Sequence, residues 1–174
     1  YKCKFEGQLY PTKTDVEQGD VYKITDKFRF FQGVTVQYAS YCPCSAELCG
    51  HLLENESRGF PHNQRSFAYI LVECDPNTSE YVWLEDIIET VESRIKTLPY
   101  PVIKRVDEQE IARVAAENPM FVEDAIRTIS EGLNELPIRD WIVKCVHEES
   151  IHTHEAIAVN WKGIPGGFNG SRYL

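Results

Sequence analysis

No apolar run in this sequence approaches the ~20 residues that a membrane-spanning helix needs, and the mean hydropathy is −0.36. Positive charge is in short supply: 18 Lys and Arg stand against 27 Asp and Glu, a net charge of −9. That excludes a broad nucleic-acid surface, because phosphate binding needs a basic face. A small anionic ligand stays open wherever a few cations converge. There is no glycine-rich dinucleotide fingerprint, no internal repeat, no low-complexity tract and no linker. The 174 residues therefore read as one domain with one ordinary core. The sequence opens at Tyr1 without an initiator Met or a signal-like apolar stretch and closes on Arg172-Tyr173-Leu174. The expectation is a single lobe of a longer protein. A disulfide scaffold is not expected either: the six cysteines (Cys3, Cys42, Cys44, Cys49, Cys74, Cys145) are sparse for this length. Three of them crowd into residues 42–49, which points to a reducing, cytoplasmic setting and a thiolate put to chemical use.

What is present is periodic. Residues 1–7 alternate as a strand does, with Pro11 as its stop and 17–20 as a loop. Residues 27–39 carry Phe28, Phe30, Val34, Val36 and Tyr38 with a break at Gly33, a second strand able to pair with the first. A third strand spans 65–74 and stops at Asp75-Pro76-Asn77. Trp83, Ile87, Ile88, Val91 and Ile95 then form a helical stripe, which Leu98-Pro99-Tyr100-Pro101 ends. Asp107 and Glu110 suggest a capping box that opens a short helix through Ala115. Asn118-Pro119 suggests the start of a second long helix, with a stripe of Val122, Ile126, Ile129 and Leu133. Strands return at 140–147 and 152–161, and 163–167 is loop. The class is α+β: an antiparallel sheet with two main helices laid on one face.

Chemistry-bearing side chains gather in four places. Tyr41-Cys42-Pro43-Cys44-Ser45 puts two thiols around a proline that fixes their direction, just past a strand. His62, in His62-Asn63-Gln64-Arg65-Ser66, precedes the third strand. Cys, His and carboxylate are the ligand types that zinc prefers, although two half-buried cysteines and a surface histidine would look the same. Cys49-Gly50-His51, between them, supplies further ligands or forms a mobile insertion. Glu148-Glu149-Ser150-Ile151-His152-Thr153-His154-Glu155 would set His152, His154, Ala156 and Ala158 on one strand face as the wall of a cleft; the plain alternative is a solvated edge. Lys104-Arg105-Val106-Asp107-Glu108 and Glu123 are open to the reading of solvated helix starts. Cys3, Cys74 and Cys145 fall in strands and read as core.

These strings stand in the order in which the type IB GTP cyclohydrolases, a tunnelling-fold family, carry theirs. The chain resembles that family through Gly33-Val34-Thr35-Val36, Cys42-Pro43-Cys44-Ser45, His62-Asn63-Gln64-Arg65-Ser66, Trp83-Leu84-Glu85-Asp86, residues 100–108, residues 117–124 and Glu149-Ser150-Ile151-His152-Thr153-His154. The resemblance implies hydrolysis of GTP at guanine C8 with release of formate, giving 7,8-dihydroneopterin triphosphate at the entry to folate-type pterins. It implies a divalent metal (zinc first, iron or manganese as alternatives) held by Cys42, His62 and Glu108. Glu123 would grip the guanine edge, a carboxylate accepting from ring N–H and amine together. Cys44, Glu149 and His152 would serve around the metal or in proton transfer. Arg65, Lys104 and Arg105 are the nearest cations for the triphosphate. It further implies an oligomeric barrel, a homodimer or homotetramer, with no nucleic acid or membrane partner. Three departures stand out. The stretch from Cys42 to His62 is longer than usual, Val106 replaces a common proline, and an earlier lobe of the same fold is lacking. Two alternatives are a nitrile reductase of the same fold, using a covalent cysteine and NADPH, and a non-catalytic purine- or pterin-binding lobe.

Overall fold

The computed structural model describes residues 1–8, 29–53, 61–75 and 78–172; the expected Pro11 stop and the 17–20 loop lie outside them. Strands β1 (Lys2–Gln8), β2 (Arg29–Tyr41), β3 (Asn63–Cys74), β4 (Asp140–His147) and β5 (Ala156–Trp161) form one antiparallel sheet in sequence order. Helix α1 (Pro43–Leu52) lies in the β2–β3 connection. Helices α2 (Leu84–Ile95), α3 (Arg105–Glu117) and α4 (Val122–Glu135) lie between β3 and β4. This is the α+β arrangement that the hydropathy pattern implies, consistent with a tunnelling-type fold.

Register assigns the two faces of the sheet. Directly opposed residues of an antiparallel pair share a face. Val34, Val36, Tyr38 and Ser40 on β2 meet Ile70, Ala68, Ser66 and Gln64 on β3. Ser66, Ala68, Ile70 and Val72 in turn meet His147, Cys145, Val143 and Trp141 on β4. The apolar members of this face pack against Ile87, Val91 and Ile95 of α2 and Val122, Ala125, Ile126, Ile129 and Leu133 of α4. The opposite face carries a smaller buried group, Phe31, Leu71, Ile142 and Phe168. At its rim Glu73, 1% exposed, accepts hydrogen bonds from Arg29 and Arg139.

Several local expectations shift. Asp107 does not open α3; it is the third helical residue and accepts from the backbone N–H of the N-cap Lys104 at 2.8 Å. Asp86 does the same for Trp83 at 2.7 Å and Asp124 for Phe121 at 3.4 Å. These N-caps have no side-chain acceptor for the helix start, so the third-position carboxylate fixes the first turn. Asn118 accordingly caps the end of α3, donating from Nδ2 to Val114 O at 2.7 Å, instead of starting α4. Helix α2 stops at Ile95, ahead of the prolines, where Lys96 turns left-handed at φ 63°. Thr97 then bridges to β2, with Ala39 N–H donating to its carbonyl at 2.8 Å. The segment after Cys42 is helical from Pro43, a residue suited to a first helical turn because that position needs no N–H. Cys3 is exposed, because β1 is the sheet's edge; Cys74 and Cys145 are buried as expected.

Helices α2 and α4 approach closely at Gly132. A Cβ there would stand 2.6 Å from Thr90 Cγ2 and would also collide with the Arg94 side chain. Gly132→Val is expected to lower the unfolding free energy by about 1–3 kcal/mol, as measured by urea denaturation. An unchanged midpoint would contradict this reading of the helix contact.

Candidate active site

The sheet face that the helices cover changes character along its length. Towards the ends of β2 and β4 and the start of β3 the aliphatic residues give way to Tyr38, Ser40, Gln64, Ser66 and His147, all buried. Buried polar groups need partners, and most find them inside this group. Ser40 Oγ and Ser66 Oγ are hydrogen-bonded at 2.7 Å, and Tyr38 Oη and His147 Nε2 at 2.9 Å. Gln64 Nε2 donates to Glu149 Oε1 at 3.0 Å. This polar end is the floor of a cleft of about 700 Å³, lined among others by Cys42, Cys44, Cys49, His62, Gln64, Glu123, His147, Glu149, His152 and His154.

Three connections set the walls. Cys42 N–H donates to His62 O at 3.3 Å, and His62 N–H donates to Ser45 Oγ at 3.2 Å, so the Cys-Pro-Cys-Ser string and the histidine string are tied together. His62 Nδ1 is bonded to Ser150 Oγ at 3.0 Å, which leaves Nε2 as the ring nitrogen available for a ligand. Met120 N–H donates to Tyr41 O at 2.9 Å and so ties the lead-in of α4 to the end of β2; Glu123, in the first turn of α4, lines the cleft.

Of the residues singled out from the sequence, the fold brings together Cys42, Cys44, His62, Glu123, Glu149 and His152. Glu108 stands apart. It lines an adjoining cavity of about 260 Å³ with Tyr41, Pro61 and Asn63, the immediate neighbours of Cys42 and His62. Among the described residues no three His, Cys, Asp or Glu stand close enough together to hold a metal ion. Arg65, Lys104 and Arg105 are exposed and outside the cleft. Residues 152–155 are not strand: β5 begins at Ala156. The β3–β4 ladder runs out where Glu148 N–H donates to Arg65 O at 2.9 Å, and the charged run beyond it stays irregular and, apart from half-buried Glu149, exposed. His152 and His154 still line the cleft, now as stacked rings with centroids 5.2 Å apart. Cys49 also faces the cleft from α1, whereas His51 is exposed.

Sequence reasoning missed His147 and Gln64. Both sit at strand ends in the inward register; His147 showed only as a polar residue where the alternation calls for an apolar one, and Gln64 only as part of the His62-Asn63-Gln64-Arg65-Ser66 string. Burial holds the His147 imidazole neutral, with a pKa lowered from 6.5 to about 4; the Glu123 carboxylate opposes this more weakly. Burial also pushes the Cys145 thiol up to about 12 and raises the Tyr38 phenol above its usual range.

Known proteins share much of this sequence. A family model described as type I GTP cyclohydrolase folE2 matches residues 6–158. The chain is similar to the GTP cyclohydrolase FolE2 of Cereibacter sphaeroides (strain ATCC 17025 / ATH 2.4.3), 41% identical over 72% of this chain and 35% of the relative. It is similar to that of Pseudoalteromonas translucida, 35% identical over 78% of this chain and 52% of the relative. It is also similar to that of Dinoroseobacter shibae, 36% identical over 83% of this chain and 40% of the relative. The chain thus spans about a third to a half of the length of these curated relatives.

The His147 environment has a pH signature. Between pH 6.5 and about 4 the unfolded chain takes up a proton that the folded chain refuses. His147 should therefore cost nothing above pH 6.5, remove stability progressively as pH falls through that window, and level off below it. The loss is on the order of 3 kcal/mol. Urea unfolding across pH 4–7.5 should show a shallower slope in His147→Asn than in the parent; equal slopes would contradict the assignment.

Proposed function

The chain belongs to the type I GTP cyclohydrolase folE2 family, and from that premise we propose that it carries the site of a metal-dependent GTP cyclohydrolase. The reaction opens guanine at C8, releases formate and yields 7,8-dihydroneopterin triphosphate, the entry step of folate-type pterin synthesis. The observation that carries the reading is the convergence of Cys42, Cys44, His62, Glu123, Glu149 and His152 on one cleft.

Thiolate, imidazole and carboxylate are donor types that a divalent cation takes, although no three of them gather among the described residues. Cys42 and His62 are adjacent through a backbone hydrogen bond, and Ser150 holds the His62 ring so that one nitrogen faces outward; oriented imidazole and thiolate suit zinc, with iron or manganese as alternatives. Glu108, in the adjoining cavity, is the carboxylate that would complete the set. When bound, such a cation supplies water acidic enough to attack near neutral pH. The chain's own groups do the rest. Glu123 accepts from the N–H and amine of the guanine edge. His152, exposed and lining the cleft, is the group that passes a proton to the departing nitrogen in this reading. Glu149, held by Gln64, and Cys44 support that transfer.

The triphosphate needs cations, yet no Lys or Arg is among the described residues lining the cleft. Arg65, Lys104 and Arg105 serve this need if they reach the cleft of a neighbouring copy, which supports a homo-oligomeric enzyme, dimer or tetramer, with sites at its joins. No helix among the described residues is long and apolar enough to cross a membrane.

Formate release from GTP, with a fluorescent pterin after oxidation, tests the activity. Cys42→Ala should abolish turnover and lose most bound metal by elemental analysis; unchanged turnover would refute the ligand assignment. Ser150→Ala should leave the fold intact and weaken metal affinity about 10-fold to 100-fold. Glu123→Gln should weaken GTP binding more than metal binding, and the reverse order would count against its grip on the base.

A further inference from the structure

Helix α3 is fastened at both ends and loosely packed between them. Upstream, Ala39 N–H donates to Thr97 O at 2.8 Å, and Thr97 Oγ1 donates to Ala39 O at 2.6 Å. Downstream, Met120 N–H donates to Tyr41 O at 2.9 Å. Residues 98–119 thus leave and rejoin the same short stretch of β2, residues 39–41. Along the way residues 99–110 are all exposed, the apolar Val102, Ile103 and Val106 among them, and Ala115 is the buried residue of α3. Two cavities of about 300 and about 260 Å³ lie against this segment, and Tyr41, Ile103 and Ile111 line both. Packed protein leaves few such spaces, and apolar walls that do not touch forgo dispersion contact.

Glu108 lines the smaller cavity together with Pro61 and Asn63, which flank His62, and Tyr41, which precedes Cys42. It also differs from the other acids of its helix. Asp107 fixes the first turn, and Glu110 and Glu117 pair with Arg113. Glu108 has no hydrogen bond or ion pair among the described residues.

Resting on the metal reading above, we propose that residues 98–119 are a strap that closes on the ends of β2 and β3 when a divalent cation arrives, shutting the smaller cavity and bringing Glu108 to Cys42 and His62. The separation of these donors is then the open position of one element. Closing without a cation would carry an unpaired carboxylate out of water and towards a thiol, which is costly. A cation removes that cost, and the apolar walls gain burial. The bonds at Thr97 and Met120 lie outside the moving part and survive it. Lys96, left-handed at φ 63°, and the C-cap Asn118 stand where the chain would turn.

Hydroxyl-radical footprinting of the whole protein, with and without zinc, reads the closure on native side chains. Zinc should cut the oxidation of Ile103 and Ile111 several-fold and leave Phe5, exposed on the edge strand β1, unchanged. An unchanged footprint while calorimetry shows zinc bound would overturn the strap and leave the metal reading standing. So would Ile103 and Ile111 already shielded without zinc, as when a second copy covers them. In Glu108→Gln at saturating zinc both residues should stay as oxidisable as in the zinc-free parent; protection there would show that Glu108 does not draw the strap in, and would overturn the proposal. Ala112→Leu thickens a wall of the smaller cavity without touching a donor. It should weaken zinc binding about 10-fold, and an unchanged affinity would also overturn the closure. A parent that binds no zinc removes the metal reading itself, and the strap with it.

Discussion

The antiparallel register of β2, β3 and β4 is the constraint on which the rest depends. It places Tyr38, Ser40, Gln64, Ser66 and His147 on the face that carries the main core, in line with the aliphatic residues that α2 and α4 cover. A slip of one residue would turn every one of them to the opposite face. The same hydrogen-bond ladder that positions the core therefore positions the floor of the cleft. The cost of burying polar groups there is offset by pairing within the group, except at Gln64 Oε1.

Around that floor, the walls come from segments tied down by their backbones. Cys42 and His62 are far apart in sequence, yet each reaches the other through a main-chain bond, and Ser45 closes the same loop. Helix α4 enters over the cleft because its lead-in bonds to the end of β2. With Asp124 fixing the first turn, Glu123 is presented from a packed element and not from a loose loop. The cleft is acidic and thiol-rich on one chain. That chemistry suits a cation and the donor edge of a purine.

Much of this was legible in the sequence, for identifiable reasons. Strand alternation and the four-residue apolar stripes reported elements whose faces are buried, so β2, β3, β4, α2 and α4 were readable from their patterns. The Cys-Pro-Cys, His-Asn-Gln-Arg-Ser and Glu-Ser-Ile-His strings were legible because they meet in one cleft. The starts of α3 and α4 were misread because their N-caps are Lys104 and Phe121, residues without the usual capping side chain, while the working carboxylates sit at the third position. The histidine run was misread as strand because nothing local announces that the β4 ladder ends at Glu148. Gln64 and His147 were hidden because a polar residue in an inward register matters only once its neighbours across the sheet are known. The separation of Glu108 from Cys42 and His62 is likewise a property of how α3 meets the end of β2, which periodicity does not report.

The central claim is that the polar end of this sheet face receives a purine whose C8 edge meets the thiol and imidazole at the cleft wall. A crystal structure of the whole protein with a divalent cation and a guanine nucleotide bound tests it most directly. The account predicts the base on the floor, its amine edge at Glu123, and the cation on Cys42 and His62 beside C8. A nucleotide seated outside this cleft, or a cation held without Cys42 and His62, would contradict it.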